Sequence, residues 1–101
     1  MGKLLVVREG EQLSLQFHVH KDETMVVVSG DALIEHGPTV DLLVPRQLRA
    51  GDVVHLPAGV LHRVTAVTDL LLAEASTASP GWRDDVVRLA DRYGRTATSR
   101  P

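Results

Sequence analysis

The chain has 101 residues, 44% of them apolar, and a formal charge of -2, which suffices for one hydrophobic core and not for two. Its Lys and Arg residues are scattered, without the basic stripe that neutralises a nucleic-acid backbone, and this argues against nucleic acid as a partner. Cysteine is absent, so disulfides, thiolate metal sites and cysteine nucleophiles are excluded, and any metal must sit on nitrogen and oxygen.

Aromatic residues make up only 3% of the chain. Val, Leu and Ala carry the apolar content, and Val favours sheet. No apolar run approaches the ~20 residues of a membrane span, and the first residues lack signal-peptide features, so a soluble cytoplasmic protein without membrane contact is expected. In chain order, β-rich runs are predicted over Lys3 to Val7, Gln12 to His20, Thr24 to Ser29, Ala32 to Glu35, Val40 to Val44, Val53 to Leu56, Leu61 to Val67 and Leu70 to Glu74. Turn-forming clusters separate them: Glu9-Gly10-Glu11, Ser29-Gly30-Asp31, His36-Gly37-Pro38, Ala50-Gly51-Asp52 and Pro57-Ala58-Gly59. Such close spacing without intervening helices implies an all-β fold, a small antiparallel β-barrel or jelly roll. After a loop over Ala75 to Gly81, Val86, Leu89, Ala90 and Tyr93 follow helical spacing and predict a short C-terminal helix over Arg83 to Tyr93. One domain over 1–94 is expected, with 95–101 a disordered tail. An exposed edge strand in so small a fold invites pairing, so a homodimer joined through Lys3 to Val7 is expected.

The chemistry concentrates in two segments. In Leu15-Gln16-Phe17-His18-Val19-His20 polar and apolar residues alternate, so a continuous strand would put Gln16, His18 and His20 on one face. Glu23 follows after a short turn and opens the next strand. Far along the chain, Gly51 to His62 places another histidine just beyond a Pro-x-Gly turn. Two imidazoles at i and i+2, a carboxylate and a third imidazole make a four-ligand set, His18, His20, Glu23 and His62, for one divalent ion such as Zn, Mn, Fe or Ni.

These stretches resemble the two motifs of the cupin superfamily. His18, His20, Glu23 and Gly30 correspond to the first; Gly51, Pro57, Gly59 and His62 fit the second without a gap. Two departures stand out in the first motif: its leading glycine, Gly10, lies two residues too far from the histidine pair, and the gap from His20 to Glu23 is short. Ser14-Leu15-Gln16-Phe17-His18-Val19-His20-Lys21-Asp22-Glu23 is most similar to the mannose-6-phosphate isomerase type of cupin domain, with Lys21 in place of an arginine and Met25 in place of a tryptophan. Asp85 to Leu89 and Asp91 to Arg95 are similar to that type's closing segment. The resemblance implies a β-barrel with one metal, and it adds Gln16 as an alternative ligand beside Glu23.

Three functions are compatible with such a site. The first is a metal-dependent aldose-ketose isomerase acting on a sugar or sugar phosphate, with Glu74 or His55 as the base and Lys21 holding a phosphate. The second is an iron-dependent dioxygenase, and the third a non-catalytic domain that binds a small molecule such as a carbohydrate. Ordinary roles compete at each position: His55 as a half-buried histidine of the outer face, Glu74 as a surface strand terminus, and Lys21 as a solubilising loop residue.

Overall fold

The computed structural model describes residues 2–77, 86–90 and 97–99. Among them are ten strands: β1 Gly2–Val7, β2 Leu15–His18, β3 Glu23–Ser29, β4 Ala32–Gly37, β5 Val44–Leu48, β6 Val53–Leu56, β7 Leu61–Ala66, β8 Leu70–Ser76, β9 Val86–Ala90 and β10 Ala97–Ser99. They form a four-stranded sheet, β1-β8-β3-β6, and a six-stranded sheet, β10-β9-β2-β7-β4-β5. Every pairing is antiparallel. The sheets remain two separate layers, so the all-β expectation takes its jelly-roll form and not that of a closed barrel. Among the described residues no helix is long and apolar enough to cross a membrane.

The two sheets are written differently in sequence. β4 and β7 place Ala32, Ile34, Val64 and Ala66 on the core and Glu35, Arg63 and Thr65 on the opposite, partly exposed face, as expected of strands with one face on the core and one toward water. The strands of the four-stranded sheet instead carry unbroken apolar runs, Leu4-Leu5-Val6-Val7, Met25-Val26-Val27-Val28, Val53-Val54 and Leu70-Leu71-Leu72-Ala73. Their inward members, Met25, Val27, Val54, Leu70 and Leu72, meet Ile34, Leu48, Val64 and Ala66 of the other sheet in one buried cluster. Gly30, in the turn between β3 and β4, has φ +91° and lies so close to Asp69 that an added Cβ would sit 2.1 Å from its carbonyl oxygen. Only glycine fits that crossing.

The structure corrects three expected elements. Val40–Leu42 forms a 3-10 turn, and the strand starts later, at Val44. Val40, Leu42 and Val44 are all more than half exposed, so this apolar run has no core to align against, while Pro45 is tolerated because β5 lies at a sheet edge. The helix predicted over Arg83 to Tyr93 is replaced at Val86–Ala90 by β9, and the rest of that stretch lies outside the described residues. Val86 and Arg88 are buried while Val87 and Leu89 are less so, a period of two that pairing with β2 enforces; a short segment with two consecutive valines has too little helical preference to resist it. The segment expected to be an unstructured tail contributes the three-residue β10, paired with β9.

Candidate metal centre

The site lies between the sheets, where β2, β3 and β7 approach one another. His18 is the last residue of β2, and Glu23 is the first of β3. The intervening bend is tied to the Pro57-Ala58-Gly59 turn by two hydrogen bonds: Ala58 N donates to Asp22 Oδ1 at 2.8 Å, and Gly59 N donates to the His18 carbonyl at 2.8 Å. Gly59 adopts φ +86°, a conformation that a side chain would strain. This clamp draws β7 alongside the bend, so that His62, three residues past Gly59, meets His18 and Glu23, 44 and 39 positions earlier.

One ligand atom from each of His18, Glu23 and His62 lies within 4.8 Å of the others, and all three residues are buried. His18 Nε2 stands 2.7 Å from Glu23 Oε1, and His62 Nε2 stands 3.5 Å from the same oxygen. The His18 and His62 rings lie 5.8 Å apart between centroids, inclined by 29°. His62 Nδ1 is 3.1 Å from the Val60 carbonyl. A carbonyl can only accept, so in the neutral ring Nδ1 carries the hydrogen and Nε2 turns a lone pair into the site, the orientation a metal requires.

Charge and burial agree with this geometry. Burial alone would raise the Glu23 carboxyl, but His18, His62 and Lys21 outweigh it and lower the carboxyl to about 2, so it is an anion at neutral pH. Burial pushes the His62 imidazole down, against the opposing pull of Glu23 and the Val60 carbonyl, and favours the neutral ring that ligates. Glu23 Oε1 and His62 Nε2 are nonetheless buried without a hydrogen bond of acceptable angle. Buried polar atoms are rarely left so, and a cation among these lone pairs would satisfy both. The donor set therefore fits a divalent metal ion held by two imidazoles and a carboxylate.

A cavity of about 190 Å³ adjoins the three residues and is also lined by Gln16, Glu74 and Arg88. Gln16 stands directly opposite His62 on β7 and opposite Arg88 on β9, and its Oε1 accepts from Ser14 Oγ at 2.5 Å. Glu74 faces inward from β8. Burial first, then the neighbouring Glu23 charge, pushes its carboxyl up to about 7, while Lys3 opposes the shift from 3.7 Å.

Three sequence-predicted site residues lie elsewhere. His20 is exposed beyond the end of β2. The alternation that would carry it into the site stops at His18, because the chain bends at Val19 and His20, and the converging group does not include it. His55 is exposed on the outer face of the four-stranded sheet, with Nδ1 3.2 Å from Thr24 Oγ1, since its neighbours Val54 and Leu56 take the inward positions. Lys21 is buried next to Glu23, whose carboxyl its charge helps to hold low, but it is not among the residues that line the cavity. The basic residues that line it are Lys3 and Arg88, both unassigned from sequence, and Arg88 was hidden by the helical reading of its segment. The displacement of His20 has a signal in the sequence. Reading the paired ligand positions as Gln16 and His18 brings Gly10 two residues closer and lengthens the short gap to Glu23 by two, which removes both departures from the motif.

Comparison with known proteins bears on this arrangement. The family model described as mannose-6-phosphate isomerase C-terminal matches residues 2–91. The chain belongs to that family. It is 40% identical over 96 residues to the xanthan biosynthesis protein XanB of Xanthomonas campestris, a match that takes in 93% of this chain and 20% of XanB. It is 37% identical over 95 residues to mannose-1-phosphate guanylyltransferase of Escherichia coli, covering 92% of this chain and 19% of that protein. The chain thus spans about one fifth of the curated relatives it matches. The cupin domain of Drosophila melanogaster CENP-C superimposes with a TM-score of 0.69 at 15% identity, over 76% of this chain and 60% of that one, and shows the shared cupin fold.

Proposed function

We propose that this domain is a metal-dependent isomerase that interconverts the aldose and ketose forms of a hexose phosphate. The observation that carries the reading is the presence of Glu74 on the wall of the same cavity as His18, Glu23 and His62. The metal centre alone is common to many chemistries, whereas a second, inward-facing carboxylate beside it supplies a base. When bound, the ion would act as a Lewis acid toward the carbonyl and hydroxyl oxygens of the sugar. Glu23, His18 and His62 would hold that ion, and Gln16 lines the same cavity as a further candidate ligand.

Glu74 takes the proton from carbon 2 of the aldose and returns it to carbon 1, as the proton of the carbon 2 hydroxyl passes to the carbon 1 oxygen. Atoms and electrons balance without a redox partner. Arg88 and Lys3 provide the positive charge that a phosphate requires. The match to mannose-1-phosphate guanylyltransferase, which by its name acts on a hexose phosphate, supports that substrate class.

The test is deuterium exchange at carbon 2 of hexose phosphates in heavy water, with metal content measured on the same sample. Exchange by wild type and its loss in Glu74→Gln are expected. A protein carrying one ion per chain that exchanges no proton with any hexose phosphate overturns the isomerase and leaves a binding domain.

A further inference from the structure

Ser14 is a polar residue of the cavity to which the chemistry above gives no role. It is 4% exposed, sits one residue before β2 and lines the cavity together with Gln16 and His18. The three occupy alternate positions, so one face of this segment carries a hydroxyl, an amide and an imidazole in succession. Ser14 Oγ donates to Gln16 Oε1 at 2.5 Å, the short end of the range for a bond between oxygens.

Strand pairing sets the surroundings of that amide. Leu15 pairs with Ala90 but Gln16 pairs with Arg88, so the register passes over Leu89 and sets a guanidinium against Gln16. On the other side Gln16 pairs with His62, whose Nε2 turns its lone pair into the site. A glutamine amide can present either end to such a site, and the ends are opposite in effect. The oxygen has lone pairs to give to a cation, whereas the NH2 group directs two hydrogens at it. Arg88 carries donors only, so an NH2 group turned toward it would find no acceptor.

We infer, on the strength of the metal centre above and independently of the isomerase chemistry, that Ser14 is a positioning residue: its hydroxyl fixes the Gln16 amide so that the carbonyl oxygen, and not the nitrogen, is offered to the ion. A carbonyl oxygen has two lone pairs; Ser14 takes one and leaves the second. Groups that orient a metal ligand in this way typically account for about 10–100-fold in metal affinity.

Cobalt(II) is a suitable probe, because its visible absorption reports the geometry of its ligands. Metal-free wild type, Ser14→Ala, Ser14→Thr, Gln16→Ala and the double variant Ser14→Ala, Gln16→Ala, each of confirmed fold by circular dichroism, are titrated with cobalt against a competing chelator. Ser14→Ala should bind about tenfold or more weakly than wild type, with an altered visible spectrum. Ser14→Thr, which keeps the hydroxyl, should retain both affinity and spectrum. The double variant should bind no more weakly than Gln16→Ala, because Ser14 acts through that amide. Ser14→Ala with the affinity and spectrum of wild type overturns the inference and leaves the metal centre standing, and so does a double variant in which the two losses multiply. Wild type that takes up no cobalt removes the metal centre and the role of Ser14 together.

Discussion

The inward carboxylate of Glu74 makes the stability of the metal-free protein depend on pH in a direction that the structure fixes. Its carboxyl is raised from 4.5 to about 7, by burial first and then by the charge of Glu23. Between those values the folded chain keeps a proton that the unfolded chain has released, so stability is fully present below pH 4.5 and is lost as pH rises toward 7. With the side chain only 7% exposed, solvent screens little of this, and the interval corresponds to roughly 3 kcal/mol. Glu74→Gln abolishes the titration while keeping size and polarity. Lowering of the Glu23 and His62 values contributes with the opposite sign, but it does so in both proteins and largely cancels in their difference. Urea denaturation followed by far-ultraviolet circular dichroism, with a chelator present, measures both proteins across this range. The advantage of Glu74→Gln over wild type should grow by about 2–3 kcal/mol from pH 4.5 to above pH 7. A difference that stays flat, or that narrows as pH rises, refutes the placement of Glu74 in a buried, negatively charged pocket.

Further predictions address the frame of the site. Gly30→Ala forces a side chain into the left-handed region and against the Asp69 carbonyl; it should cost at least about 2 kcal/mol in chemical denaturation, and a neutral result would show that the β3–β4 turn is built differently. Leu72 is fully buried at the centre of the core, and its replacement by Ala should cost about 2–5 kcal/mol by the same assay. Asp22→Ala removes the acceptor for Ala58 N without touching a ligand; it should lower stability by about 1–2 kcal/mol and also weaken metal affinity in a competition titration, because the bend and the Pro57-Ala58-Gly59 turn are no longer clamped together. Unchanged affinity would mean that β7 reaches the site unaided.

Much of this architecture is legible in the sequence because short strands between Gly-rich turns leave few alternatives. Val53–Leu56 matches the expected strand at both ends, and β3, β7 and β8 begin or end within two residues of expectation. His62 could be read from Pro57, Gly59 and their spacing, since that turn has one job: to return the chain toward the bend that follows β2. His20 could not be placed by alternation alone. Period-two reasoning holds only while a strand continues, and the hydrogen bonds that end β2 at His18 come from residues 58 and 59, far along the chain. The same non-local origin explains β9, whose strand conformation depends on a neighbour, β2, that no local pattern announces. Glu74 was ambiguous between surface and interior because parity in an all-apolar run such as Leu70-Leu71-Leu72-Ala73 carries no sign; Lys3 and Arg88 gain their place at the cavity only from sheet pairing.

The central claim is that His18, Glu23 and His62 share one divalent ion. Elemental analysis of the purified chain after equilibration with zinc or manganese, run in parallel on His62→Ala and His20→Ala proteins of confirmed fold, examines it most directly. One ion per chain in wild type and in His20→Ala, with loss in His62→Ala, is the predicted pattern. Full metal content in a folded His62→Ala protein would contradict it.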